Sequence, residues 1–308
     1  MPSIVRKLIH SCKPEYVFRP RQLWHRLSRR MSGPEQTVLL PWGLPLQVRL
    51  DDIIGRQIWT MGVFELAESE VLWRLTDPGE LAIDVGANIA YMASILAVRA
   101  GPSGAVIGFE PHPDIYAEAC ANIARWVEYP VAPVTLARSA LSNRPGKLPL
   151  YVPHSFDGNR GLSSLNSDVP CGRTMMVEVT TLDNVVGPTT AVGMLKIDVE
   201  GHEAEVLAGG ATTLGRRAVR DVLFEDHNPQ PSQARAALER YNYTVFRIDY
   251  TYWRPIIADP YSPRPAGRLF DTPNYLATLD PARARDRLAW RGWRCLTTAR
   301  VALKAAAP

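Results

Sequence analysis

From residue 80 onward the chain repeats one pattern: a short apolar run, a tight turn, then a longer stretch with helical spacing. The runs are ELAIDV (80–85), GAVIGFE (104–110), APVTLAR (132–138), AVGMLKIDVE (191–200) and AVRDVLFED (218–226). Helical stretches follow at 88–100, 113–127, 202–214 and 232–241, and two further strands are predicted at 243–249 and 274–280. Strands alternating with helices of this length demand an α/β fold with a parallel sheet and right-handed crossovers. No internal repeat is present.

The remaining segments are less regular. RPRQLWHRLSRR (19–30) predicts a short basic helix with Leu23, Trp24 and Leu27 on one side. TVLLPWGLPLQVRL (37–50) alternates around a Pro-Trp-Gly turn, as a hairpin does, and FELAESEVLWRLT (64–76) has helical spacing that ends before Pro78. Two segments interrupt the alternation. Residues 139–182 predict extra strands and loops over the sheet, and 251–273, rich in Pro, Arg and aromatics, predict no regular structure. This gives a basic N-terminal segment (1–35), a central domain (36–280) with those two insertions, and a basic C-terminal tail (281–308).

Charge follows the same division. Residues 1–30 carry +7 and residues 281–308 carry +6, whereas 31–280 carry −9 within a total of +4. Basic ends suit an anionic lipid surface, nucleic acid or an acidic partner, or simply aid solubility. The acidic middle and the lack of a recognisable RNA-binding module argue against nucleic acid. Contact between residues 1–30 and an anionic membrane is the preferred use of the basic N-terminus. No apolar run of about 18 residues occurs, so no membrane span is expected. The N-terminus makes a poor secretory signal. The four cysteines, Cys12, Cys120, Cys171 and Cys295, are widely spaced, which fits reduced thiols in a cytoplasm, with peripheral membrane attachment as the alternative.

In open α/β sheets ligands bind at the carboxyl ends of strands. After the first strand comes Asp84-Val85-Gly86-Ala87-Asn88, where the glycine allows close backbone approach and Asn88 is placed to cap the next helix. Glu110 ends the second strand, where a carboxylate can accept from both hydroxyls of a ribose. The run after Gly86 has no further glycine, so it is not the GxGxxG that seats a pyrophosphate, and a dehydrogenase is excluded. A nucleoside without phosphates fits better.

DVGAN (84–88), FEPHP (109–113), Asn122, TLDNV (181–185) and LKIDVEGHEAEVLAGG (195–210) together resemble the FkbM-type S-adenosylmethionine-dependent methyltransferases. Gly62, Phe64-Glu65, GLSSL (161–165) and Asn274 are smaller echoes, and the resemblance spans about residues 60–280. It implies the class I methyltransferase (Rossmann-like) fold: a seven-stranded sheet, mostly parallel with the last strand antiparallel, and helices on both faces. It also implies S-adenosylmethionine as cofactor and methylation of a hydroxyl on a sugar, glycolipid or polyketide-type metabolite. One position departs from the family's usual DxGANxG. Ala90 replaces its last glycine, and its methyl would crowd the helix–sheet approach. A catalytically silent cofactor-binding scaffold is therefore kept as an alternative, beside the rival reading of an RNA methyltransferase that the basic ends suggest.

By the same resemblance, the Asp84–Gly86–Asn88 turn lies along the methionine part of the cofactor, Glu110 takes the ribose, and Ser139-Ala140 lie near adenine. Glu65 either reaches the cofactor's amino group or is an exposed helix-start glutamate. Asp198 ends strand four, where the reactive methyl should point. Lys196 is assigned to the opposite face of that strand, leaving Asp198 without a local partner. A sugar hydroxyl reacts once its proton leaves, so Asp198, His202, Glu225 and His227 are base candidates. Asp198, Glu200, Glu225, Asp226 and Asn228 could also assemble a Mg2+ site from oxygen ligands. Tyr250, Tyr252, Trp253 and Arg254 either stack on an acceptor sugar or pin their loop to the domain.

Overall fold

A computed structural model describes residues 33–156, 158–167, 171–226, 232–263, 273–297 and 301. The basic segment at 19–30 and the catalytic and metal candidates His227 and Asn228 lie outside them. The chain opens with β1 (Glu35–Leu39) and β2 (Pro45–Arg49), then α1 (Ile53–Met61) and α2 (Leu66–Leu75). Next come β3 (Leu81–Val85), α3 (Tyr91–Ala100), β4 (Ala105–Phe109), α4 (Pro113–Ala124) and β5 (Val134–Ala137). The first insertion holds β6 (Ala140–Leu141), β7 (Gly146–Pro153) and β8 (Cys171–Thr180). The alternation resumes with α5 (Leu182–Val185), β9 (Val192–Ile197), α6 (Glu203–Ala208), α7 (Ala211–Gly215), β10 (Val219–Glu225) and α8 (Gln233–Arg240). It closes with β11 (Thr244–Tyr250), β12 (Pro255–Ala258), β13 (Asn274–Thr278), α9 (Pro281–Ala289) and α10 (Arg294–Thr297).

The main sheet runs β12-β11-β13-β10-β9-β3-β4-β5. Strands β5, β4, β3, β9 and β10 are mutually parallel, and β13 is antiparallel to both neighbours. The expected seven-stranded arrangement is therefore present. An eighth strand extends it: β12 pairs antiparallel with β11 at the edge. That corrects the reading of 251–273 as wholly irregular. Pro-Ile-Ile-Ala is a short run, and its partner across a tight turn makes it a strand.

Helices cover both faces because the central strands are apolar on both sides. Met194 of β9 joins the cluster with Leu72, Leu75, Ile95 and Leu96 from α2 and α3. Its neighbours Leu195 and Ile197 face the other cluster, with Val206 and Leu238 of α6 and α8. The β1–β2 hairpin docks through Trp42, whose indole N–H donates to Ser94 Oγ of α3 at 3.1 Å. The motif residue Asn122 links the same hairpin to the β3–α3 turn. It accepts from Gln47 N at 2.7 Å and donates to the carbonyls of Gln47 and Ile89 at 3.1 and 3.0 Å.

Residues 281–297 are not a free tail. Arg74 and Glu70 of α2 form an almost wholly buried ion pair at 2.5 Å, and both reach into this segment. Arg74 donates to the carbonyls of Arg287, Trp290 and Gly292, and Glu70 accepts from the backbone of Arg294 and Cys295. Arg283 and Arg287 pair with Asp77, and Arg283 also with Asp221. Two of the seven basic residues at this end, Arg283 and Arg287, are thus paired with acids of the domain.

The helix after the first turn begins at Tyr91, not at residue 88, and Asn88 does not cap it. Asn88 and Ala90 both take left-handed backbone angles, φ 48° and 69°, and Asn88 Oδ1 accepts from the adjacent Ile89 N. The cost of alanine at position 90 is therefore a backbone cost of about 1–2 kcal/mol. Ala90→Gly relieves that cost but loses a buried methyl worth about 0.8 kcal/mol and adds unfolded-state entropy worth roughly 0.4–1 kcal/mol. The expected outcome in denaturant unfolding is a change under about 1 kcal/mol; a large stabilisation would show that Ala90 strains the fold.

Candidate active site

Chain order reverses between β3 and β9: β4 and β5 extend to one side, β10 to the other. Crevices for ligands form at the carboxyl ends of strands at such a point. A cavity of about 310 Å³ lies there. Its floor comes from the β3–α3 turn, the ends of β4, β9 and β10, and Glu65 before α2. Ile53 and Ile54 of α1 wall it on one side. Over it lies the first insertion, a three-stranded sheet ordered β6-β8-β7 with a helical turn at Arg160–Leu162. The insertion was expected to lie over the sheet, and its GLSSL stretch supplies Gly161, Leu162, Ser163 and Leu165 to the lining. Ser164 anchors it, donating to the Glu200 carbonyl at 2.6 Å.

Of the residues singled out from sequence, Glu65, Gly86, Asn88, Glu110, Ala140, Asp198, Glu200 and Glu225 line this cavity. Asp84, Ser139 and His202 do not. Asp84 is fully buried beneath the floor. His202 faces away: its Nε2 lies 2.8 Å from Ser142 Oγ and its Nδ1 3.8 Å from Glu205. Burial pushes its pKa down, against the pull of Glu205. The aromatic segment Tyr250–Arg254 also misses the cavity; Arg254 instead donates to the carbonyls of Leu288 and Ala289. The segment is pinned to the domain.

Lys196 is the residue the sequence reading misplaced. Residues two apart on a strand share a face, so Lys196 sits beside Asp198, with Nζ 3.2 Å from Oδ2. The same ammonium lies 3.5 Å from Asp84 Oδ1 and donates to the Gly86 carbonyl at 3.3 Å. Burial opposes its charge, but Asp198 and Asp84 prevail and hold its pKa above the ordinary lysine value. One buried cation therefore ties the turn after β3 to the end of β9. Its signal in the sequence was the Lys-x-Asp spacing. Arg160, from the insertion, was not singled out either; it lines the cavity and grips Glu118 of α4 with Nη1 2.6 and 2.7 Å from the two oxygens.

Glu110 is held by the backbone. Its oxygens accept from Asn88 N at 3.0 Å and His112 N at 2.9 Å, which fixes the carboxylate while leaving each oxygen a further lone pair. Burial pushes its pKa up to about 7, against those two hydrogen bonds. A raised folded-state pKa means that stability present below about 4.5 is lost as pH rises through 7. Replacing Glu110 by Gln removes this titration. Wild-type stability minus that of Glu110→Gln should therefore fall between about pH 4.5 and 7.5, by no more than roughly 3 kcal/mol. Paired denaturant titrations across that range check it, and a constant difference would contradict it.

Glu65, Asp198, Glu200 and Glu225 also line the cavity, among mostly apolar residues and the cations Lys196 and Arg160. Glu65 sits at its wall with a left-handed backbone, φ 45°, placed by the Phe64 N–H that donates to Tyr91 Oη at 3.0 Å. Burial, then the charges of Glu68, Asp198 and Glu225, pushes its carboxyl well above the usual range. Carboxylate oxygens of Asp198, Glu200 and Glu225 come within 4.8 Å of one another. Asp226 turns away to Arg235, 3.3 Å distant, so the five-residue magnesium set does not assemble among the described residues. Beyond this acid cluster nothing there supports Mg2+. The group suited to such a wall is a cation with a neutral, partly apolar remainder.

The chain is 30% identical over 184 residues to the hexuronic acid methyltransferase AglP of Haloferax volcanii, covering 58% of this chain and 65% of that protein. Among solved structures it is similar to an S-adenosylmethionine-dependent O-methyltransferase from Thermotoga maritima, with 16% identity, TM-score 0.42, and 80% and 78% of the two chains covered. It is also similar to magnesium protoporphyrin IX methyltransferase from Synechocystis, with 13% identity, TM-score 0.39, and 87% and 98% covered. At these TM-scores the structural likenesses carry no argument. The family model for the methyltransferase FkbM domain matches residues 84–245, more than half of the chain and every element that builds the cavity floor except Glu65. The chain belongs to the FkbM methyltransferase family.

Proposed function

We propose that the protein is an S-adenosylmethionine-dependent O-methyltransferase acting on a hydroxyl of a sugar-type acceptor, free or carried on a glycolipid. The observation that carries the reading is the pairing of a backbone-fixed Glu110 with an acid-lined cavity at the β3/β9 switch point. Glu110 suits two ribose hydroxyls. Glu65 and Asp198 suit the positive charges of an α-ammonium and a sulfonium. Ile115, Ala140 and Leu141 offer an apolar slot for a purine. When bound, such a cofactor supplies an electrophilic methyl group on sulfur.

The protein's own part is placement and proton removal. An in-line displacement gains most of its rate from holding the acceptor oxygen at the right distance and angle. Asp198, tied to Lys196, is a fixed anion at that end of the cavity. Glu225 ends the neighbouring strand β10 in the cavity lining, and in this reading it takes the acceptor's hydroxyl proton. The hexuronic acid methyltransferase relative supports a sugar as acceptor; the chain spans less than two thirds of that protein, so the acceptor belongs to the proposal.

The test is transfer of isotopically labelled methyl to a panel of hexuronic acids, neutral sugars and glycolipids. Glu225→Gln should lower turnover about 10²–10⁴-fold with little change in cofactor affinity. Undiminished turnover would remove Glu225 from the chemistry.

A further inference from the structure

The segment expected to face the acceptor has another notable surface. Trp253, in the β11–β12 turn, is 54% exposed, and Trp290, just after α9, is 59% exposed. They are brought together by backbone contacts. Gly292 N donates to the Trp253 carbonyl at 2.8 Å, Trp293 Nε1 donates to the Tyr252 carbonyl at 3.0 Å, and Arg254 donates to Ala289 O at 2.6 Å. The base beneath them is rigid. Trp293 is fully buried, and the buried Arg74 guanidinium grips the carbonyls of Trp290 and Gly292 at 2.8 and 2.5 Å. Two large apolar side chains are therefore presented outward from a tightly held platform.

Their position and surroundings narrow the occupant. Strand β11 is parallel to β9 and β10, since both it and β10 run antiparallel to β13. Its last residue, Tyr250, therefore ends on the same edge of the sheet as the cavity floor, and Trp253 projects from that edge. Helix α9 starts from the opposite end, after β13, and returns to the same edge at Trp290. Exposed Arg291 and Arg294 follow Trp290 in the chain, while Arg285 lies over the Phe246 ring at 5.0 Å, and the exposed acids along these segments are Asp259 and Asp286. Arg294 lies over the Trp290 ring at 5.7 Å. Tryptophan with a polar edge prefers the headgroup level of a bilayer, and neighbouring arginines favour anionic lipid.

We infer that the Trp253–Trp290 rim, with Arg291 and Arg294, docks the protein on an anionic membrane surface with the cavity edge turned toward it. This contact is separate from any made by residues 1–30. It does not depend on the methyltransferase reading, because its test involves no cofactor.

The test is flotation of the full chain with phosphatidylcholine vesicles containing roughly a third phosphatidylserine, beside pure phosphatidylcholine vesicles. The full chain should float with the anionic vesicles only, with a blue shift of tryptophan emission. The double substitution Trp253→Ser and Trp290→Ser should lower the partition coefficient about tenfold or more, and Arg291→Glu should lower it in a salt-dependent way. Both sites are exposed, so thermal unfolding of the variants should match wild type. Equal flotation of wild type and double variant would place the contact elsewhere and overturn the inference. So would failure of the wild type to float, or equal binding to neutral vesicles. A wild-type dimer that the double variant abolishes would assign the rim to a second copy instead, which also overturns it.

Discussion

Lys196→Met should destabilise the protein by about 3–5 kcal/mol, the usual cost of removing one partner from a buried charge cluster. Asp84 is fully buried, and neither of its oxygens has a hydrogen-bond partner in ordinary geometry. The nearby ammonium of Lys196, 3.5 Å from Oδ1, is what permits a charge there. Removing it strands that charge, frees Asp198 and leaves the Gly86 carbonyl without its donor. Methionine keeps most of the side-chain volume, so the loss measured is electrostatic rather than a cavity effect. Adding Asp84→Asn to Lys196→Met should recover a large part of it, and acidification should recover some by protonating Asp84. The check is urea unfolding of the two single variants and the double variant. A loss under about 1 kcal/mol, or strictly additive substitutions, would show that the cluster is not coupled.

Gly86→Ala should be the most damaging single methyl in the cavity floor. A Cβ at this position would lie 1.9 Å from the Asp198 carbonyl oxygen. That neighbour is backbone, fixed by the Asp198 N–H that donates to Val85 O at 3.0 Å, so nothing flexible can yield. The φ of 80° adds left-handed strain of about 1–2 kcal/mol. Overpacking adds roughly 1–3 kcal/mol. The turn must move away from β9, carrying Asn88 and the site of Glu110 with it. Expected are a stability loss of about 2–5 kcal/mol and loss of measurable cofactor binding. A variant with wild-type midpoint and affinity would contradict the close approach of β3 and β9.

The parts of this fold that sequence reveals are those built from local periodicity. The hairpin and the order of the alternating strands and helices follow from runs and turns that each occupy a few residues, whereas the antiparallel last strand is what the family resemblance implies. The misses have long-range causes. Helix α1 carries Gly55 in its first turn, which weakens a helical reading; a Cβ there would strike Arg49 O at 2.0 Å. Residues 281–297 read as a basic tail because the acids that neutralise Arg283 and Arg287 are Asp77 and Asp221, far away in the chain. The start signal Asp280-Pro281 and the buried spacing of Ala284 and Leu288 were nonetheless present.

The site divides in the same way. Glu110, Gly86 and Asp198 are legible because strand ends in such sheets face the ligand. His202 is not, because its partner Ser142 lies 60 residues away in the chain. Other motif residues prove structural. Thr181 caps α5 by accepting from Asn184 N, and Gly209 allows the backbone of Ser142 to approach. Glu203 accepts from Val199 and Gly201 N–H groups and so shapes the turn that carries Glu200.

The measurement closest to the central claim is calorimetric titration of the full chain with S-adenosylmethionine and, separately, with NADH. The account predicts micromolar binding of S-adenosylmethionine alone, weakened in Glu110→Ala by charge-assisted bonds worth about 1.5–3 kcal/mol each. No binding of S-adenosylmethionine, or equal binding of NADH, would mean that the cavity between β3 and β9 is not a sulfonium-nucleoside site.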